Sequence, residues 1–91
     1  MALGIYFPFV GLTTEKYDEA VKRLEANGAG APKGRKFHVA LEADGQLQVF
    51  DIWETQEDFE AFGSVLMPVL AEIGVEPSEP MIATVHNQIK G

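Results

Sequence analysis

Cysteine is absent from the 91 residues. No disulfide can staple the fold, thiolate-ligated zinc is excluded, and there is no cysteine nucleophile. The absence fits a reducing compartment. Cations are also scarce: Lys and Arg total 7 against 14 Asp and Glu, for a formal net charge of −7. Phosphate recognition needs clustered positive charge, so nucleic-acid binding is excluded. No apolar run approaches the ~20 residues that span a bilayer, so no membrane association is expected. The opening segment MALGIYFPFVG has no basic stretch and does not read as a secretory signal. The expected location is cytoplasmic.

Hydrophobic residues make up 46% of the chain, which is ordinary for a folded protein. The length suits a single domain, residues 1–91. A chain of this size buries only about 60–65% of its unfolded surface. With no disulfide to add stability, a homodimer interface is the expected further source of burial.

Alternation across ALGIYFPF puts Leu3, Ile5, Phe7 and Phe9 on one face of a strand and Gly4, Tyr6 and Pro8 on the other. Pro8 has no N–H to donate, so regular pairing should end near it. TTEKYDEAVKRLEANG predicts a helix with Thr13 as N-cap, an Asn27-Gly28 stop, and a buried stripe of Tyr17, Ala20, Val21 and Leu24. TQEDFEAFGSVLMPVLAEIG predicts a second helix, with Thr55 and Asp58 forming a short capping box. Pro68 is expected to kink or break it near Gly63-Ser64. The starts of the two helices echo each other, Thr13-x-Glu15-x-Tyr17 against Thr55-x-Glu57-x-Phe59, and MIATVHNQI closes the chain as a last strand. The order β-α-β-β-α-β predicts an α+β, ferredoxin-like domain, with a four-stranded antiparallel sheet in the order 4-1-3-2 and both helices on one side.

Between the helices, KFHVALEADGQLQVFDIWE reads as a hairpin on a two-residue Asp44-Gly45 turn. Counting back from the turn sets Glu42 against Leu47, Ala40 against Val49, His38 against Asp51 and Lys36 against Trp53. The aromatic and branched set Phe37, Val39, Leu41, Phe50 and Ile52 is expected under the helices. His38, Ala40, Val49, Asp51 and Trp53 then fall on the helix-free face, joined by Tyr6, Ile82, Thr84 and His86, with Met81, Ala83 and Val85 on the helix side. Such a half-apolar surface with a few polar groups suits a ligand pocket or a dimer interface.

His38 and Asp51 are the candidate catalytic pair. A carboxylate bonded to one imidazole nitrogen fixes the tautomer and leaves the other as base. The plainer alternative, a cross-strand polar pair at an interface, is favoured. Tyr6, Val49, Trp53 and His86 are the candidate ligand-binding residues, though packing is favoured for Tyr6 and Trp53 and an interface or surface position for His86. No metal is expected: His38 and His86 sit on opposite edge strands, three spacings or ~14 Å apart in a flat sheet. No cofactor is expected, and GAGAPKG fails the spacing of a glycine-rich phosphate loop. Lys33, Arg35 and Lys36 cluster at that loop, where a solvated segment is favoured over an anion-attracting mouth.

The element order, the hairpin ending in DIWE, the helix start TQEDFEAF and the segment LMPVLAEIG resemble the dimeric α+β barrel superfamily. That superfamily includes antibiotic-biosynthesis monooxygenase-like proteins and stress-responsive barrel proteins. The resemblance implies two sheets packed face to face across a homodimer, and a cavity in each subunit between sheet and helices. The pocket can therefore lie on the helix-free face or under the helices. Activities implied are cofactor-independent oxygenation of a small aromatic or polyketide-like molecule, polyketide cyclisation using His and Tyr, or haem degradation. Tyr6 and Phe7 stand where haem degraders carry Asn, which speaks against haem. The alternative to an enzyme is a non-catalytic dimer that binds a small apolar or aromatic ligand, or that is purely structural.

Overall fold

The computed structural model describes residues 2–76 and 78–91. The chain runs β1 (Leu3–Phe7), α1 (Thr14–Ala26), β2 (Arg35–Ala43), β3 (Gln46–Trp53), α2 (Gln56–Glu72) and β4 (Met81–Thr84). The strands form one four-stranded sheet in the order β2-β3-β1-β4, with every pairing antiparallel. This is the expected ferredoxin-like arrangement. β1 ends at Phe7, where Pro8 removes the next donor. β4 is shorter than the sequence pattern suggests and stops at Thr84.

Both helices start on threonine caps. The Thr13 hydroxyl accepts from the Lys16 amide at 3.2 Å, and the Thr55 hydroxyl from the Asp58 amide at 3.1 Å. α1 closes on Asn27 with Gly28 at φ 77°, a value glycine adopts without a Cβ penalty. α2 does not break as one of the expected alternatives had it, and runs on through Pro68. Ser64 and Pro68 are both exposed, so water can take up the carbonyl that the proline leaves without a donor.

Asp44 and Gly45 both have positive φ, 54° and 79°, as a type I′ hairpin turn requires. The register follows: Ala43 pairs with Gln46, Glu42 with Leu47, Ala40 with Val49 and His38 with Asp51. The expected Lys36–Trp53 pair does not form. A bulge between Arg35 and Phe37 sets Arg35 opposite Trp53 and leaves Lys36 exposed.

The faces of the hairpin and of β4 are inverted relative to expectation, whereas Tyr6 of β1 does lie on the helix-free side. Leu47, Val49, Asp51 and Trp53 are buried under the helices together with Ile5 and Phe7, while Phe37 and Leu41 are 44% and 60% exposed on the other side. Tyr6, Met81 and Ala83 pair in register with that open face, so Tyr6 does not share the His38 face and Met81 and Ala83 do not lie under the helices. Volume and satisfied polarity explain the choice. Trp53 is fully buried, its ring meeting Phe59 and Phe62 at centroid distances of 5.7 and 5.3 Å. Asp51 goes in beside it because both carboxylate oxygens find donors, and a buried polar group costs little once it is hydrogen-bonded.

Candidate functional site

The helix-side face of the hairpin and the stripe of α1 enclose a cavity of about 200 Å³. Its walls are mostly apolar, with Phe7, Leu12, Leu24, Val49 and Leu70 among them, and its polar members are Tyr17, Arg35, His38 and Asp51. A larger hollow of about 390 Å³ lies between α2 and the segment before β4, but Glu60 is the one ionisable group on its described walls. The side chains that could exchange a proton with a ligand therefore gather at the first.

Four side chains form a hydrogen-bonded chain at that cavity. Asp51, 3% exposed, accepts from Trp53 Nε1 on Oδ2 at 3.2 Å and meets His38 Nδ1 on Oδ1 at 2.5 Å. The other imidazole nitrogen, Nε2, lies 2.6 Å from the Tyr17 hydroxyl, and the two rings stack 11° from parallel. A carboxylate can only accept, so Nδ1 carries a proton; in the neutral ring Nε2 then accepts from the Tyr17 hydroxyl. Each piece is placed by local structure. The type I′ turn sets the register that aligns His38 with Asp51, and α1 brings Tyr17 down onto β2 one turn before Ala20.

Burial pushes the Tyr17 hydroxyl above its ordinary value of 10.0; the Arg35 guanidinium opposes this, and the Asp51 and Asp18 carboxylates reinforce it. Tyr17 is thus a neutral phenol near pH 7. Arg35 reaches the same cavity over the Phe62 ring, with Cζ 5.8 Å from the centroid, and donates to the Gly30 carbonyl at 3.1 Å.

Of the residues singled out from sequence, His38, Asp51 and Val49 line the cavity, and Trp53 backs it through Asp51. Tyr6 is on the opposite face of the sheet, donating to Gln48 Oε1 at 2.7 Å. His86 is exposed beyond the end of β4. Tyr17 and Arg35 are the members of the constellation that sequence reasoning did not assign to it. Tyr17 carried a signal, as the one polar-tipped residue in the buried stripe of α1. Arg35 carried one only as a member of the Lys33, Arg35 and Lys36 cluster, read in favour of a solvated loop; its entry into the cavity depends on the bulge. Among the described residues no group of three or more His, Cys, Asp or Glu could hold a metal ion. No helix among them is long and apolar enough to cross a membrane.

No family model and no curated protein matches the chain. Solved structures do. A candidate antibiotic biosynthesis monooxygenase from Chloroflexus aurantiacus superposes with a TM-score of 0.67 at 12% identity, covering 99% of this chain and 98% of the other. SnoaB, a cofactor-independent oxygenase from Streptomyces nogalater, matches with a TM-score of 0.62 at 14% identity over 99% and 96%. A de novo designed protein, Foldit4, shares the architecture with a TM-score of 0.56 at 14% identity over 93% and 97%. These identities speak to the fold, and a fold hosts many chemistries. By its strand order, its helix placement and these likenesses, the chain has the ferredoxin-like α+β fold that the antibiotic-biosynthesis-monooxygenase-like structures share.

Proposed function

We propose that the protein is a cofactor-independent monooxygenase acting on a small aromatic or polyketide-like molecule held under the helices. The observation that carries the proposal is the Tyr17–His38–Asp51 chain, which leads from a buried carboxylate to the wall of an apolar cavity. Both nitrogens of His38 are engaged, so the group offered to a ligand is the Tyr17 hydroxyl, with His38 behind it as base and Asp51 as orienter. This is the relay logic of a nucleophile, base and orienting carboxylate, applied to a phenol.

In this scheme the bound molecule gives up a proton from an activated C–H or a phenolic O–H to Tyr17 as the Tyr17 proton passes to His38 Nε2. The resulting electron-rich anion is the reductant for dioxygen: a CH₂ becomes a carbonyl, one oxygen atom enters the product and the other leaves as water. Val49 and Trp53 serve as wall and backing. Tyr6 and His86 have no part in it. The likeness to SnoaB supports this reading over others that the fold permits.

A homodimer belongs to the same proposal. Phe37, Leu41 and Met81, 44%, 60% and 63% exposed, leave the open sheet face more apolar than a free surface should be.

The test is oxygen uptake in the presence of a panel of one- and two-ring phenols and quinols, corrected for spontaneous oxidation. Uptake that exceeds the background and falls about 10²-fold or more in Tyr17→Phe and Asp51→Asn supports the oxygenase. Turnover that continues without oxygen and needs Tyr17 replaces it with a cyclase or isomerase. Binding without turnover in any assay sinks the catalytic reading and leaves a carrier.

A further inference from the structure

The cavity contains one feature that proton transfer does not require, the cation Arg35. Arg35 lies at the bulge in β2, and that bulge is what turns it inward. Without the extra residue, Lys36 would stand opposite Trp53; with it, Arg35 takes that place and Lys36 is exposed. Bulges beside sites commonly re-aim a side chain in this way.

The loop before β2 holds the arrangement. Gly34 has φ 87°, and a Cβ there would run into the Asp58 side chain, so any other residue would be strained at this position. Its carbonyl accepts from the Glu54 amide at 2.7 Å, which pins the loop to the end of β3. Arg35 itself stacks over Phe62 and gives one side-chain hydrogen bond to the Gly30 carbonyl. Among the described residues no carboxylate lies within ion-pair distance of it. A guanidinium has five N–H donors in a planar fork, so most of its capacity is open.

We infer that the ligand of this cavity is a small planar carboxylic acid, its carboxylate held by the Arg35 guanidinium and its ring lying against the apolar wall beside Tyr17. A carboxylate matches the fork in a way a neutral carbonyl does not. One inward cation suits a monoanion. The volume, about 200 Å³, lies below the roughly 300–1,000 Å³ of drug-sized sites and fits one or two fused rings. This inference rests on the proposed ligand-binding role of the cavity but does not depend on turnover.

The experiment is titration by calorimetry, with amide chemical shifts as a second readout. The probes are benzoate, cinnamate and 2-naphthoate, each paired with its neutral primary amide. At least one acid is expected to bind about tenfold or more tightly than its amide. Arg35→Gln should lower acid affinity more than amide affinity and so bring the acid–amide ratio close to one, and Arg35→Lys should keep part of the preference. Far-UV circular dichroism establishes that both variants are folded, and the acid–amide comparison stands in the unaltered protein whether or not they are. Equal binding of acids and amides overturns the anion assignment and leaves the cavity as a ligand site. No binding of any probe at millimolar concentration overturns both.

Discussion

Both faces of the sheet carry apolar side chains, and they are put to different uses. The helix-covered face buries Trp53, Ile5 and Val49 together with a carboxylate, and its polar groups are each satisfied by a neighbour. The open face exposes Phe37, Leu41 and Met81 and carries the Tyr6–Gln48 hydrogen bond at its surface. Hydrophobicity by itself therefore does not choose the inner face. Packing volume against the helices and complete pairing of the polar groups do.

The largest expected effect comes from removing the central aromatic of the inner face. Trp53→Ala should cost about 3–5 kcal/mol in urea unfolding, through the cavity left between β3 and α2 and the lost donor to Asp51. A loss under 1 kcal/mol would show that the inner face is not where the stability resides.

Asp51→Ala comes next, at about 1–3 kcal/mol, because it leaves Trp53 Nε1 and His38 Nδ1 without an acceptor. Asp51→Asn, similar in shape and still able to accept, should cost less. The order of the two variants in chemical denaturation separates unsatisfied hydrogen bonding from simple loss of volume.

On the open face, Leu41→Lys should change protomer stability by no more than about 0.5 kcal/mol. If this surface joins two copies, sedimentation should show the variant shifted towards monomer, and its melting temperature should lose any dependence on protein concentration. An unchanged association state would move the interface elsewhere.

The smallest effect is one of pH. Tyr17 has its folded-state pKa raised above the unfolded value of 10.0, so the folded protein holds that proton more tightly than the unfolded chain does. The associated stability is present in full below pH ~10 and is lost as pH rises through the folded value. Tyr17→Phe should flatten the fall in denaturation midpoint between about pH 9 and 11. The same slope in the variant would assign that fall to other groups.

Much of the fold is legible residue by residue. Thr13 and Thr55 announce the helix starts, Asn27-Gly28 announces a stop, and Asp44-Gly45 sets a register that places His38 against Asp51. These signals are local, and local hydrogen bonding decides them. Three outcomes were not legible, for reasons that are not local. The inner face was misassigned because Phe37, Val39 and Phe50 are as suited to burial as Val49 and Trp53. Pro68 was expected to kink or break α2, and no break occurs, because its solvent-side position makes the missing donor tolerable. The bulge that substitutes Arg35 for Lys36 opposite Trp53 leaves no mark in the alternation.

By itself, then, the sequence determined the element order, the helix caps, the hairpin turn and the His38–Asp51 pairing, because each depends on residues a few positions apart or on a two-residue turn. Only the tertiary structure decided which face the helices cover, that Tyr17 completes the chain to His38, and that Arg35 enters the cavity. Those outcomes depend on how α1 and α2 fill the space above the sheet, and on whether every buried polar group finds a partner there. Such conditions belong to the packed whole and to no single segment.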